Sequence, residues 1–136
     1  MWVSHVLSTT RASFQLDTDS GALTIINKVD TGIGSPAHQT TDRAGRFLLT
    51  AYYGGGGVTV HRLGDTGDIQ DLVQYIDTGE KSHAYLSVCD DRYNILPHVF
   101  PTNKYCQFHF DSETGQLSPY DPAEPVHDTH LLLSSP

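Results

Sequence analysis

The chain has 136 residues, one domain's worth, and its 38% hydrophobic content, with seven Tyr and five Phe, suffices for a packed core. Eight basic against 16 acidic residues give a formal charge of −8, which argues against a nucleic-acid partner because phosphate binding needs a basic stripe. No apolar run reaches the roughly 18 residues of a membrane span, and the N-terminus lacks the basic and apolar regions of a secretory leader, so a cytoplasmic protein is expected. Cys89 and Cys106 lack metal-type spacing and are too few for a disulfide scaffold; they are expected to be reduced, buried thiols.

In chain order the expected strands are Trp2–Val6, Ala12–Leu16, Leu23–Val29, His38–Thr41, Arg46–Tyr52, Val58–Leu63 and Leu72–Ile76. His83–Val88, Tyr93–Pro97, Tyr105–Phe110, a weak strand near Leu117, and Leu131–Leu133 follow. These runs are mostly β-branched or aromatic and are bounded by Gly, Asp, Ser and Pro. No segment holds a helical period over three turns. Ser118–Asp128 carries Pro119, Pro122 and Pro125 and is expected to be a loop.

One turn recurs. Segments beginning at Phe14, Val60 and Phe108 each place a glycine seven residues on, at Gly21, Gly67 and Gly115, spaced by 46 and 48. His38, His83 and His130 repeat at 45 and 47, and Arg46-Phe47 returns as Arg92-Tyr93 at 46. A period near 45 residues signals a repeat architecture. In each copy an Asp or Ser side chain is expected to set up a hairpin turn and the glycine to supply positive φ. One period then holds four strands, the blade of a β-propeller. The expected fold is all-β, a propeller segment of about three four-stranded blades: an incomplete blade over 1–33, whole blades over 34–78 and 79–125, and the start of another over 126–136. Both outer blade faces would lie uncovered, which predicts low stability and points to a partial gene product or to self-association through those faces.

Ser35-Pro36-Ala37-His38, Asp42-Arg43-Ala44-Gly45-Arg46-Phe47-Leu48 and Ala51-Tyr52-Tyr53-Gly54-Gly55-Gly56 resemble the 6-phosphogluconolactonase family of seven-bladed propellers. That family reads close to S-P-C-H, D-P-x-G-R-F-L and A-N-Y-G-G-G there. His83-Ala84-Tyr85 resembles its H-A-H, and Gln107 through Pro122 resembles Q-F-x-F-D-x-x-T-G-x-L-x-P-N-D-P. The resemblance covers nearly the whole chain and less than half of the family's propeller. It implies opening or closing of a lactone on an acidic sugar or diacid, with no metal or organic cofactor, since the family includes carboxymuconate-lactonising enzymes. The chain departs from the pattern in several places. His5, Tyr52 and His98 stand where the family carries Asn, Asn and Asp, Val6 replaces a Glu, and Tyr85 replaces the second His. His127-Asp128-Thr129-His130 replaces G-P-R-H, which removes an Arg suited to an anionic substrate, and no Gly precedes Arg92.

Innermost strands line a propeller's channel, and the active site lies at one mouth of it. His38, His83 and His130 open such strands and are the candidate catalytic residues, because an imidazole with a pKa near 6.5 suits the base that activates water. Tyr53, Tyr85 and His98 are the candidate substrate-binding residues, the tyrosine hydroxyls as oxyanion donors. Each His can equally serve a blade by fixing its hairpin. A zinc site at His127 and His130 is not expected, because the spacing suits a helix and no further ligand completes the set. Gly54–Gly57 precedes a strand and is expected to be a hairpin turn, not a phosphate loop. Ser4, Ser82 and Ser87 lack a nucleophile-elbow context. Arg46 and Arg92 are expected to bridge strands, and Arg62 and Lys104 to be solvated. The expected partner is a small lactone. A carboxymuconate-type reaction and a non-catalytic binding propeller are the alternatives.

Overall fold

The computed structural model describes residues 1–4, 8–77, 83–85, 98–100, 104–105 and 108–119, with the backbone path alone at 2–4, 83–85, 98–100 and 104–105. Among the described residues every regular element is a strand. Blade 1 holds β1 (Trp2–Ser4), β2 (Thr10–Leu16) and β3 (Leu23–Asp30). Blade 2 holds β4 (Pro36–Thr41), β5 (Phe47–Tyr52), β6 (Gly57–Leu63) and β7 (Ile69–Ile76). Blade 3 holds β8 (His83–Tyr85), β9 (His98–Phe100), β10 (Lys104–Tyr105), β11 (Phe108–Phe110) and β12 (Leu117–Pro119). The sheets run β1-β2-β3, β4-β5-β6-β7, β8-β9-β10 and β11-β12, always between sequence neighbours and always antiparallel. This is the meander expected of stacked blades, and the complete four-stranded sheet falls inside 34–78. The expected strands Tyr93–Pro97 and Leu131–Leu133, with His5 and Val6, lie outside the described residues.

The uneven glycine spacing has a local cause. The pairs Leu16↔Leu23, Leu63↔Ile69 and Phe110↔Leu117 close the three outer hairpins. Leu16, Leu63 and Phe110 are evenly spaced by 47. The turn between the paired residues is six residues long in the first and third hairpins and five in the second. In the longer turns the Asp carries the geometry. Asp17 Oδ1 accepts from the amides of Asp19 and Ser20, and Asp111 Oδ1 from those of Glu113 and Thr114. Gly21 and Gly115 follow at φ 73° and 76°. The middle copy has Gly64 in the position of that Asp; its turn instead closes from Gly67 N–H to the Gly64 carbonyl at 2.9 Å, with Gly67 at φ 82°. The expectation of one Asp-set turn in all three copies is therefore corrected. His61, not Val60, is the structural counterpart of Phe14 and Phe108.

The middle strands of blade 2 are covered on both faces, so β5, Phe47–Tyr52, is apolar but for Thr50, with every residue buried. Alternate side chains go to opposite neighbours. Phe47, Leu49, Ala51, Val58 and Val60 pack with Phe108 and Leu117 of blade 3. Leu48, Leu63 and Ile69 pack with Val29 of blade 1. The Asp42–Phe47 motif is the turn that starts this core: Asp42 Oδ1 accepts from the amides of Arg46 and Phe47 at 2.7 and 2.8 Å.

A second repeated device joins the blades. Asn27 on β3 donates its amide N–H to the Ile69 carbonyl at 2.8 Å and accepts from the Ile69 N–H at 3.1 Å. One period on, Gln74 on β7 does the same to Leu117, at 3.1 and 2.7 Å. Each pair satisfies a backbone donor and acceptor that the hairpin leaves free. Arg46 also acts between blades, beyond the expected bridging of strands. Its Nη2 donates to the Ser112 carbonyl at 2.5 Å and approaches Glu113 at 3.4 Å. Arg62 is exposed, as expected, with its guanidinium 5.1 Å from the Phe47 ring centre.

Candidate functional site

Blade 2 brings its two described candidates to one end of the sheet. Pro36 pairs with Tyr52 and His38 with Ala51, across a bulge, so His38 enters β4 beside the exit of β5 that leads to Tyr53. Both side chains are exposed, Tyr53 at 37%. The loops above them are fitted together. Tyr53 N–H donates to the Ser35 carbonyl at 2.8 Å and Gly55 N–H to the Gly34 carbonyl at 3.2 Å. Ser35 takes a left-handed φ of 58°. A side chain on Gly54 would run into that of Ser35, and one on Gly55 into Ile33. The glycine run is thus a hairpin turn, as expected, with Gly56 at φ 58° and Gly57 at 131°. Its glycines are required by close approach as well as by turn geometry.

Blade 3 supplies the next candidates by backbone position. β8, which opens with His83, lies against β4, β5 and β6. The registers place Tyr85 directly opposite His98 on β9 and His83 opposite Phe100. His130 lies outside the described residues. No cluster of His, Cys, Asp or Glu with metal-binding geometry occurs among the described residues.

A buried polar cluster was not anticipated from the sequence. Arg11 on β2 is 1% exposed, yet its guanidinium is inserted between blades 1 and 2. Its Nη2 donates to Thr59 Oγ1 at 3.2 Å, its Nη1 reaches His61 Nδ1 at 3.4 Å, and its plane lies 4.7 Å from the centre of the Tyr52 ring. Tyr52 Oη shares a hydrogen bond with Thr59 Oγ1 at 3.2 Å. Burial lowers the Arg11 pKa to about 10. Burial first, and then the neighbouring Arg11 charge, lowers that of His61 to about 4, so His61 is neutral at pH 7. Nδ1 faces a donor, which assigns the imidazole proton to Nε2. Thr59 and His61 also floor a cavity of about 300 Å³ between the outer strands, walled by Val29, Ile33 and Leu72. Neither His38 nor Tyr53 lines it. A lone basic residue in a short strand gives no warning of such burial. The available signal was Tyr52, a large amphipathic side chain where the resembled family has Asn.

The chain covers a defined share of known proteins. The family profile described as "Lactonase, 7-bladed beta-propeller" matches residues 8–130. A 6-phosphogluconolactonase of Enterobacter sp. (strain 638) is 33% identical over 112 residues, 82% of this chain and 33% of that protein. One of Klebsiella pneumoniae (strain 342) is 34% identical over 112 residues, with the same shares. Among solved structures, a Lactobacillus plantarum protein superposes with a TM-score of 0.76 at 23% identity, over 88% of this chain and 37% of that one. A Bacteroides fragilis protein does so at 0.73 and 20%, over 91% and 41%. The chain spans about a third of the length of the curated relatives it matches. The repeated hairpins, the stacked four-stranded unit and the profile match agree, and the chain belongs to the seven-bladed β-propeller lactonase family.

Proposed function

We propose that the chain forms part of a propeller that hydrolyses a sugar-acid lactone of the 6-phosphogluconolactone type, a step of the pentose phosphate route. The observation that carries this reading is the 33% identity over 112 residues to a 6-phosphogluconolactonase. In this reading His38, His83 and His130 face the channel mouth, and one imidazole takes a proton from water. The water oxygen bonds to the lactone carbonyl carbon, and the electron pair moves onto the carbonyl oxygen. Hydroxyl donors at Tyr53 and Tyr85, with His98, steady that oxyanion. Collapse breaks the ring C–O bond, and the imidazolium returns its proton to the departing alkoxide, which leaves a hydroxy acid. The step uses no organic cofactor. Cations for a phosphate group come from other blades, and the working compartment is the cytoplasm.

The test is δ-lactone hydrolysis by the chain, with 6-phosphogluconolactone as the second substrate, compared with His38→Ala and His83→Ala. Rates above buffer that fall at least about 100-fold in the variants support the reading. Rates above buffer and equal in all three proteins reject these histidines. A wild-type rate equal to buffer favours a second reading, a propeller module that binds without catalysis. One observation speaks for it: Tyr52, at a position where the resembled family has Asn, is fully buried between blades with its hydroxyl bonded to Thr59, and so offers nothing to a substrate.

A further inference from the structure

The cavity of about 300 Å³ between β3 and β7 is large enough to take a small organic molecule. β7 lies at the edge of its sheet opposite β4, so the cavity is on the outer rim, away from His38 and Tyr53. Val29, Ile33 and Leu72 wall it, His61 is at its floor, and the exposed carboxylates of Asp30 and Asp71 border it. The floor is not explained by packing. The counterparts of His61 are Phe14 and Phe108, and the Phe108 ring belongs to the apolar core between blades 2 and 3. Here an imidazole takes the place of that ring; it is 3% exposed and still lines the cavity. Arg11 Nη1 engages its Nδ1 at 3.4 Å, and among the described residues Nε2 has no hydrogen-bond partner. A buried N–H without a partner is costly, and an acceptor atom on a ligand removes that cost. The border sets the charge of the ligand. Hydrogen bonds from the Thr9 hydroxyl and the Gly32 amide lower the Asp30 pKa, so Asp30 is ionised at pH 7. The formal charge of the chain is −8. Both favour a cation over an anion.

We propose that this cavity binds a small organic cation with two polar ends: its ammonium group pairs with Asp30 and Asp71, its apolar body lies between Val29, Ile33 and Leu72, and an oxygen at its far end accepts from His61 Nε2–H. The site does not depend on the lactonase reading, so its test reads binding and not activity. The probe is tyramine, an aromatic amine with a phenolic oxygen, titrated into the chain at pH 7 and followed by NMR at the Val29 and Leu72 amides. Phenethylamine lacks the oxygen and p-cresol the ammonium group. The expected result is saturable tyramine binding, with phenethylamine about tenfold weaker for want of the floor hydrogen bond. His61→Phe, the residue type of both counterparts, should weaken tyramine by the same factor and leave phenethylamine unchanged. Asp71→Asn, at an exposed residue where folding is not at stake, should weaken tyramine about threefold and leave p-cresol unchanged. Asp19→Asn, on the outer turn of blade 1, should change nothing. The proposal is overturned by any of three results: no saturable binding at millimolar tyramine, tyramine binding equally tight in wild type, His61→Phe and Asp71→Asn, or phenethylamine binding as tightly as tyramine.

Discussion

The two described seams of this molecule are filled differently. Between blades 2 and 3 lie Phe47, Leu49, Ala51, Val58, Val60, Phe108 and Leu117, with the Phe47 and Phe110 rings edge to face at 5.6 Å. The seam between blades 1 and 2 holds, beside the Leu48, Leu63, Ile69 and Val29 cluster, a buried polar group of Arg11, Tyr52, Thr59 and His61. Yet the same amide clamp spans both, from Asn27 to Ile69 and from Gln74 to Leu117. The difference separates two tasks. The clamp fixes how one blade sits on the next, and the filling sets how strongly and under what conditions they hold. A hydrophobic filling is indifferent to pH, whereas a buried guanidinium beside a neutral imidazole is not.

The largest expected effect tests the apolar seam. Phe47 is fully buried, and Phe47→Ala should cost about 3–5 kcal/mol in chemical denaturation. The next tests the polar seam through pH. His61 titrates near 4 when folded and near 6.5 when unfolded. A group whose folded pKa is depressed stabilises above its unfolded value and loses that contribution as pH falls through the folded one. Stability should therefore drop by about 2–3 kcal/mol between pH 6.5 and 4, and His61→Phe, the residue type of both counterparts, should remove that slope. A third experiment makes the seams alike. Arg11→Met with His61→Phe should be neutral or stabilising by about 1–3 kcal/mol at pH 7, because a buried charge is exchanged for packed apolar volume. A loss of several kcal/mol in that double variant would show the polar filling to be the stronger one. The smallest effect concerns the clamp alone: Gln74→Ala should cost about 1–2 kcal/mol, since it leaves two backbone groups of Leu117 without their partner.

The sequence made the blade legible because each turn must carry its own chemistry. Glycine at positive φ in all three turns, with an Asp acceptor four residues earlier in two of them, leaves a periodic trace, and the mostly apolar β5 announces a doubly covered strand. The one-residue difference in the middle turn was hidden because glycine spacing alone aligned Val60 with Phe14, when hairpin pairing puts His61 there. The clamp was hidden for a related reason. Asn27 and Gln74 differ in type and are 47 apart, and only pairing across the seam reveals their common partner. At the candidate site the strand-opening position of His38 and the glycine turn beside Tyr53 were readable. The burial of Arg11 was not, because a single cation in a strand has no pattern until its neighbouring blade is in place.

The common clamp is the claim on which the stacking account rests. Its most direct test is NMR-detected hydrogen exchange of the Ile69 amide in the wild type and in Asn27→Ala. The account predicts at least tenfold faster exchange at Ile69, with the Leu117 amide unchanged because Gln74 still holds it. Equal protection at Ile69 in both proteins, or loss of protection along the whole of β7, would contradict it.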